Sequence, residues 1–380
     1  MKKIGIVTIL KVNNYGAELQ AFATQFALKR MGYQAEIIDY LFYKNRGFRP
    51  TKRSAPLFDF SWKKRLAEKL YPVIERIKGL PYRKARKRRE KRFDSFHREN
   101  TSFSEQFRTI DALYDTDLGY DVYLTGSDQV WNPGIYSSLA PYFLDFAPKG
   151  ARRIAYAASF GVSQIPEYAR ERYREFLSRY NAIGVREKTA VGMVRDIAGK
   201  DAQWVLDPTF LLTRGEWSKV ARPVDLPAEK FILIYELTPC AYIRRLAEHL
   251  REKTGMPIVR ICKSAAKESR DSQTTDIVDA GPAEFLYLFS KATAIVTNSF
   301  HGTAFSINFG KPFYTITPQR KANNSRQRSL LELFGLQNRL LEEDAPFLDI
   351  ADLPIDYIAV NQTLESERAK SISFLKNAID

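Results

Sequence analysis

An apolar strand, a polar loop, an amphipathic helix and a second apolar strand follow one another in the first forty residues, and this order constrains the fold more than any other feature. Residues 3–10 form an apolar run that ends at Lys11. Residues 17–31 place Leu19, Phe22, Ala23, Phe26, Ala27 and Met31 close to helical spacing, and Gly32 follows as a natural stop. Residues 35–40 then read as a second strand. A strand that returns in parallel needs a crossover, so this is a βαβ unit and predicts a parallel sheet. Residues 44–119 interrupt the rhythm with a basic, largely helical-looking insertion. It resumes with strands at 121–125, 153–159, 182–186 and 203–206 and helices near 166–180 and 188–197. Proline-punctuated residues 213–229 predict a boundary. Beyond it, strands at 231–237, 258–262, 293–298 and 313–316 alternate with helices at 241–253, 282–290, from 302, and at 326–334. The pattern predicts two Rossmann-like α/β domains, 1–212 and 229–350. A last helix near 364–378, within residues 351–380, is expected to pack back on the first.

At 380 residues the chain has room for two such domains. Its 44% hydrophobic and 13% aromatic content excludes a mainly disordered chain. Cys240 and Cys262 are too few for a disulfide framework or a metal-ligand spacing, and structural roles are expected for both. The first ten residues imitate a signal peptide, but no small-residue cleavage site follows Lys11. No apolar run reaches the roughly 18 residues that span a bilayer. A cytoplasmic protein is therefore expected.

Ligands of parallel sheets sit outside the carboxyl ends of strands, where loops open into helices. Four such loops have unusual composition. In residues 12–17, Asn14 offers donors and acceptors, Gly16 permits close backbone approach, and the helix start behind them favours an anion. In residues 125–133, Asp128 can move a proton, accept a hydroxyl or cap a helix. Arg186, at the end of strand 182–186, suits phosphate or carboxylate, or pairs with Glu187. In residues 297–305, Asn298, Ser299, His301, Gly302 and Thr303 stand where a helix opens, and a histidine there can donate to phosphate. The other two histidines, His97 and His249, fall on the basic segment and a surface helix. Neither a metal-ligand cluster nor a Ser/His/Asp set is apparent.

Taken in order, these pieces resemble the polysaccharide pyruvyl transferase family. The matching segments are Asn13-Asn14-Tyr15-Gly16-Ala17 with Leu19-Gln20-Ala21, Gly126-Ser127-Asp128-Gln129-Val130-Trp131, Val185-Arg186-Glu187, Asp207-Pro208-Thr209, and residues 299–307 beginning Ser-Phe-His-Gly-Thr. The resemblance runs from about residue 3 to about residue 340. It implies two Rossmann-like domains facing a central cleft, similar to the GT-B glycosyltransferase architecture. It also implies transfer of the pyruvyl group of phosphoenolpyruvate to two hydroxyls of a saccharide, with a cyclic ketal formed and no further cofactor. The acceptor would be a free or polyprenyl-diphosphate-linked saccharide on the way to a capsule or exopolysaccharide. His301 and Asp128 would be catalytic. Arg186, Asn14, Gly16, Ser299, Gly302 and Thr303 would bind substrate. Other members carry an arginine where this chain has Ser299, so Lys311, Arg326 or Arg328 is expected to supply the missing cation. A nucleotide-sugar glycosyltransferase and a non-catalytic saccharide- or phosphate-binding protein are the alternatives on the same fold.

Net charge is +15, and residues 61–100 hold 15 Lys or Arg against 5 Asp or Glu. Such a segment suits an anionic partner or forms a solvated helical face. Zinc-finger, RNP and basic-zipper signatures are absent, which argues against nucleic acid. An apolar stripe at Trp62, Leu66, Leu70, Tyr71, Val73, Ile74 and Ile77 precedes the densest basic run. Peripheral contact with the inner face of the cell membrane is therefore expected of residues 61–100.

Overall fold

The computed structural model describes residues 1–68, 70, 83–262, 273–317, 325–347 and 354–380. The chain divides into two compact units. The first comprises Met1–Arg76, Asn100–Leu211 and Glu367–Asp380, and the second Ile77–Glu99 and Leu212–Ser366.

The first unit is a seven-stranded parallel sheet of strands β1 (Lys3–Val7), β2 (Gln34–Tyr40), β3 (Phe103–Phe107), β4 (Val122–Thr125), β5 (Arg152–Ala158), β6 (Ala182–Val185) and β7 (Gln203–Trp204). Their order is β3-β2-β1-β4-β5-β6-β7, so the direction of winding reverses between β1 and β4. The central strands read as nearly unbroken apolar runs because helices cover both faces. Trp131, Phe143, Phe160, Tyr173, Phe176 and Tyr180 form an aromatic core beside β4 and β5. Trp131 and Phe143 are stacked at 5.3 Å and Phe143 and Phe176 at 4.6 Å. The C-terminal helix Tyr357–Ile379 enters this unit from Glu367 onward. Leu375 and Ile379 are fully buried, the Leu206 N–H donates to Ser371 Oγ at 3.0 Å, and Phe374 fills the space that Gly184 leaves.

The second unit repeats the plan with β8 (Ile232–Tyr235), β9 (Ile258–Ile261), β10 (Thr274–Ile277), β11 (Ala294–Thr297), β12 (Phe313–Thr317) and β13 (Leu340–Glu342). All are parallel, in the order β10-β9-β8-β11-β12-β13, with the reversal between β8 and β11. The chain from 213 to 229 is not wholly a linker. It contains the helix Arg214–Val220, opened by a reciprocal cap between Thr213 and Glu216. Three strands escape the hydrophobic pattern: β3, β10 and β13 are short, lie at or next to sheet edges, and carry polar residues. Edge strands need bury less, so they lack the apolar signature of central ones.

The basic insertion is divided between the units. Residues 83–99 of the helix Arg83–Asn100 belong to the second unit, not to the N-terminal domain. Asp279 binds Arg88 at 2.6 Å and Arg92 at 2.8 Å, and buried Arg89 donates to the Cys262 carbonyl at 2.6 Å. A face expected to lie on an anionic surface thus partly serves internal pairing. Residues 62–68 are helical and belong to the first unit; most of the remaining apolar stripe falls outside the described residues.

Candidate functional site

In the first unit the four motif segments converge on one buried polar network at the carboxyl edge of the sheet. Thr8, just past β1, donates to the Ser127 carbonyl at 3.2 Å; Gln20 donates to Thr8 Oγ1 at 2.8 Å and accepts from the Ser127 N–H at 2.9 Å. These bonds clamp the loops after β1 and β4 together at the point where the sheet reverses. Ser127 Oγ is 3.0 Å from Asp207 Oδ2, and Arg186 Nη1 lies 3.0 Å from the same oxygen. Arg186 also lies 3.4 Å from Glu187 and 3.7 Å from Asp128. Thr209 holds the other oxygen of Asp207 with its N–H and its hydroxyl, at 3.0 and 2.8 Å. The Arg186 and Asp207 side chains are 1% and 0% exposed. Burial pushes the Arg186 guanidinium down, but the three carboxylates outweigh it and hold its proton more tightly than usual.

Arg186 is therefore balanced by carboxylates, and this cluster of four groups carries more negative than positive charge. The sequence alone left open whether Arg186 meets a ligand or a neighbour, and the geometry engages it with neighbours. Asp207, Ser127 and Gln20 are the residues that sequence reasoning passed over. All three lie inside the recognised motif segments: Ser127 and Asp207 stand just past strand ends, and Gln20 is buried in the second turn of the helix Tyr15–Arg30.

Backbone strain gathers at the same edge. Among the described residues only five other than glycine have positive φ, and Lys11, Asn13, Asp128 and Ala157 are four of them. Such conformations cost about 1–3 kcal/mol each and concentrate where a site needs them. Asp128 has φ 65° and a side chain 16% exposed, the most accessible of the three carboxylates around Arg186. Asn14 caps the helix Tyr15–Arg30, its Oδ1 accepting from the Gly16 N–H at 3.0 Å.

In the second unit the loop after β11 occupies the equivalent reversal. Asn298 ties it to the loop after β8 by accepting from the Leu237 N–H at 2.8 Å and donating to the Thr238 carbonyl at 2.7 Å. Ser299 caps the helix Phe300–Asn308: its Oγ accepts from the Gly302 N–H at 3.2 Å. Thr303 is buried and bonds Ser299 and Thr315, so it frames the loop. His301 stands in the first turn, 8% exposed, with Phe300 edge-on at 5.3 Å.

The three cations expected to replace the missing arginine fall in different places. Arg326 and Arg328 lie in the first turn of the helix Ser325–Leu333, which follows β12 and so opens at the carboxyl edge. Arg328 pairs with Glu342 at 3.4 Å. Lys311 does not join them. It follows the helix Phe300–Asn308 and precedes β12, which puts it at the amino edge, a helix length of roughly 13 Å from Ser299. Among the described residues, no group of three or more His, Cys, Asp or Glu side chains is placed to hold a metal ion.

Gly302 gives a test of how tightly this loop is built. A Cβ there would lie 2.3 Å from Thr297 Oγ1, which itself accepts from the Ser299 N–H and donates to the Tyr235 carbonyl. Gly302→Ala is expected to lower unfolding free energy by about 1–3 kcal/mol in denaturant titration. A neutral substitution would show that the loop has room the structure does not show.

The arrangement of two parallel sheets with ligand-type loops at both reversals agrees with what comparisons return. The model of the polysaccharide pyruvyl transferase family matches residues 14–320, which take in all five motif segments apart from Asn13. No curated protein matches the chain. Among solved structures, UDP-N-acetylglucosamine 2-epimerase from Rickettsia bellii is 8% identical, with all of this chain and 97% of that one covered and a TM-score of 0.52. UDP-GlcNAc 2-epimerase from Methanocaldococcus jannaschii is 10% identical, with 96% and 92% covered and a TM-score of 0.48. MurG from Acinetobacter baumannii is 10% identical, with 100% and 94% covered and a TM-score of 0.42. At such identities the first likeness speaks for the fold alone: a two-domain α/β protein of GT-B-like type. The family match covers most of the chain, and this protein belongs to the polysaccharide pyruvyl transferase family.

Proposed function

We propose that the protein transfers the pyruvyl group of phosphoenolpyruvate to two hydroxyls of a saccharide, lipid-linked in the cell, and releases inorganic phosphate. The observation that carries this reading is the contrast between the two carboxyl edges. In the first unit Arg186 is surrounded by Asp207, Glu187 and Asp128, so the edge suits neutral hydroxyls and a proton acceptor more than a dianion. In the second, His301 sits at a helix N-terminus and Arg326 opens the next helix along the same edge, which suits phosphate and carboxylate.

In this reading His301 delivers a proton toward the donor, to the methylene carbon or the departing phosphate. Protonation of that carbon leaves an electron-poor C2, one sugar hydroxyl adds to it, and its proton passes to Asp128. Cleavage of the C2–O bond expels phosphate, and a second hydroxyl closes the ketal as its proton passes to the departing phosphate. Phosphoenolpyruvate and a diol thus become a cyclic ketal and phosphate, with no redox change. Asn14, Gly16, Ser299, Gly302 and Thr303 shape the loops that present these groups.

Phosphoenolpyruvate is expected to raise the melting temperature, and a suitable saccharide to trigger phosphate release. His301→Ala should reduce turnover by at least about 100-fold, the usual scale of general acid–base assistance, while leaving the fold intact. Stabilisation by UDP-sugars with phosphoenolpyruvate inert would replace this reading with a glycosyltransferase.

The proposal extends to where the acceptor is met. Trp62, Leu66 and Leu70 are 69%, 48% and 46% exposed at four-residue spacing, with exposed Lys63 and Arg65 beside them. Such a face suits the surface of an anionic bilayer, where each nearby cation contributes about 1 kcal/mol. No helix among the described residues is long and apolar enough to cross a membrane. In vesicle flotation the protein should bind anionic lipid at low salt, fade as salt screens the charge, and weaken on Trp62→Ser with Leu66→Ser. Equal binding to neutral vesicles, or none to either, would remove this part of the proposal.

A further inference from the structure

Three neighbouring strands of the second sheet are each entered past a cation. Lys291 precedes β11, Lys311 precedes β12 and Arg339 precedes β13, and β11-β12-β13 are adjacent and parallel. The cations therefore gather at the amino edge, opposite the loop of His301. Arg339 is the unusual member. It is 1% exposed, and its Nε, Nη1 and Nη2 have no hydrogen-bond partner among the described residues. Its guanidinium lies over the Tyr314 ring, 5.4 Å from the centroid. Stacking on a ring offsets part of the desolvation of a cation but accepts none of its N–H donors.

Tyr357 links the members of the cluster. Its hydroxyl donates to the Lys311 carbonyl, and its ring approaches Gly310 on the side that Arg214 also approaches, each 3.9 Å from where a Cβ would stand. Burial pushes the Tyr357 hydroxyl's pKa up, and the charges of Arg339 and Arg214 oppose that shift. Burial holds the Lys311 ammonium down at about 8, with Arg214 and Lys291 adding to the effect. Among the described residues, no carboxylate features among the charges acting on Lys311 or on Arg339. Carboxyl ends of helices at this edge draw cations, and that accounts for Lys291 in the last turn of Pro282–Lys291. Among the described residues it leaves the buried donors of Arg339 without acceptors. A buried, uncompensated guanidinium is costly in any fold, and an oxyanion is the group that would satisfy it.

We propose that the amino edge of the second sheet holds a second anion site, in which a phosphate-class oxyanion is bound by Arg339 at its base and by Lys311 and Arg214 at its rim. The oxyanion is either free phosphate or the phosphoryl group of a larger molecule. The site is separate from the loop of His301 and does not depend on the donor assigned there.

The test is thermal shift and calorimetry with inorganic phosphate and, separately, with phenyl phosphate, at constant ionic strength in chloride. Both probes should raise Tm of the wild type by about 2–4 °C at saturating concentration. If phenyl phosphate is inert while phosphate binds, the source is the free ion; if both bind, the site admits an esterified phosphoryl group. Arg339→Met and Lys311→Met should each weaken phosphate at least about tenfold, as loss of a charge-assisted contact requires. His301→Ala should keep the response. Lys311 is half-buried, so its variant remains informative should Arg339→Met fail to fold. The proposal is overturned if phosphate has no effect on the wild type. It is equally overturned if the response survives both amino-edge substitutions or disappears with His301→Ala.

Discussion

The interaction on which the first unit depends is the buried pair of Arg186 and Asp207. A guanidinium 1% exposed and a carboxylate 0% exposed are tolerable together and very costly apart. Each has further partners: Ser127 bonds Asp207 and Thr209 holds its other oxygen, while Glu187 and Asp128 flank Arg186. The pair thus fixes the loops after β4, β6 and β7 to one another, and Gln20 extends the network to the loop after β1. A site whose loops come from four different strands needs such a fastening, because each loop alone has too few contacts to hold one conformation. The positive φ of Asp128 is held in place by this surrounding network.

The second unit solves the same problem differently. Its site loop is fixed by hydroxyls and an amide rather than by a buried ion pair: Thr297, Ser299, Thr303 and Asn298 bond to backbone and to one another. This leaves its helix N-terminus without a carboxylate cap, so the partial positive charge there is available to an anion. Ser299 serves this plan as the cap of the helix Phe300–Asn308.

Much of this was legible in the sequence because burial on both faces gives central parallel strands and their helices strong apolar patterns. The first βαβ unit, the second βα series and the position of every site loop follow from that pattern. Partners were not legible. An arginine at a strand end looks the same whether it meets a ligand or Asp207, twenty-one residues away along the chain. Direction along an element was also lost for Lys311, which is close to His301 in sequence but at the other edge of the sheet. Short polar edge strands such as β10 and β13 bury little and leave no periodic trace. The basic helix illustrates the same limit, since charge density alone did not reveal that Arg88, Arg89 and Arg92 bind Asp279 and the Cys262 carbonyl.

The central claim is that Arg186 serves to fasten the loops through Asp207 and does not act as a free cation for the donor. A double-mutant cycle with Arg186→Met, Asp207→Leu and their combination, followed by denaturant unfolding, tests it most directly. Each single substitution strands a buried charge and should cost about 3–5 kcal/mol. The double variant removes both charges and should cost clearly less than the sum, with a coupling of about 2 kcal/mol or more. Additive losses would contradict the account, as would an Arg186→Met protein of wild-type stability that has lost only its affinity for phosphoenolpyruvate.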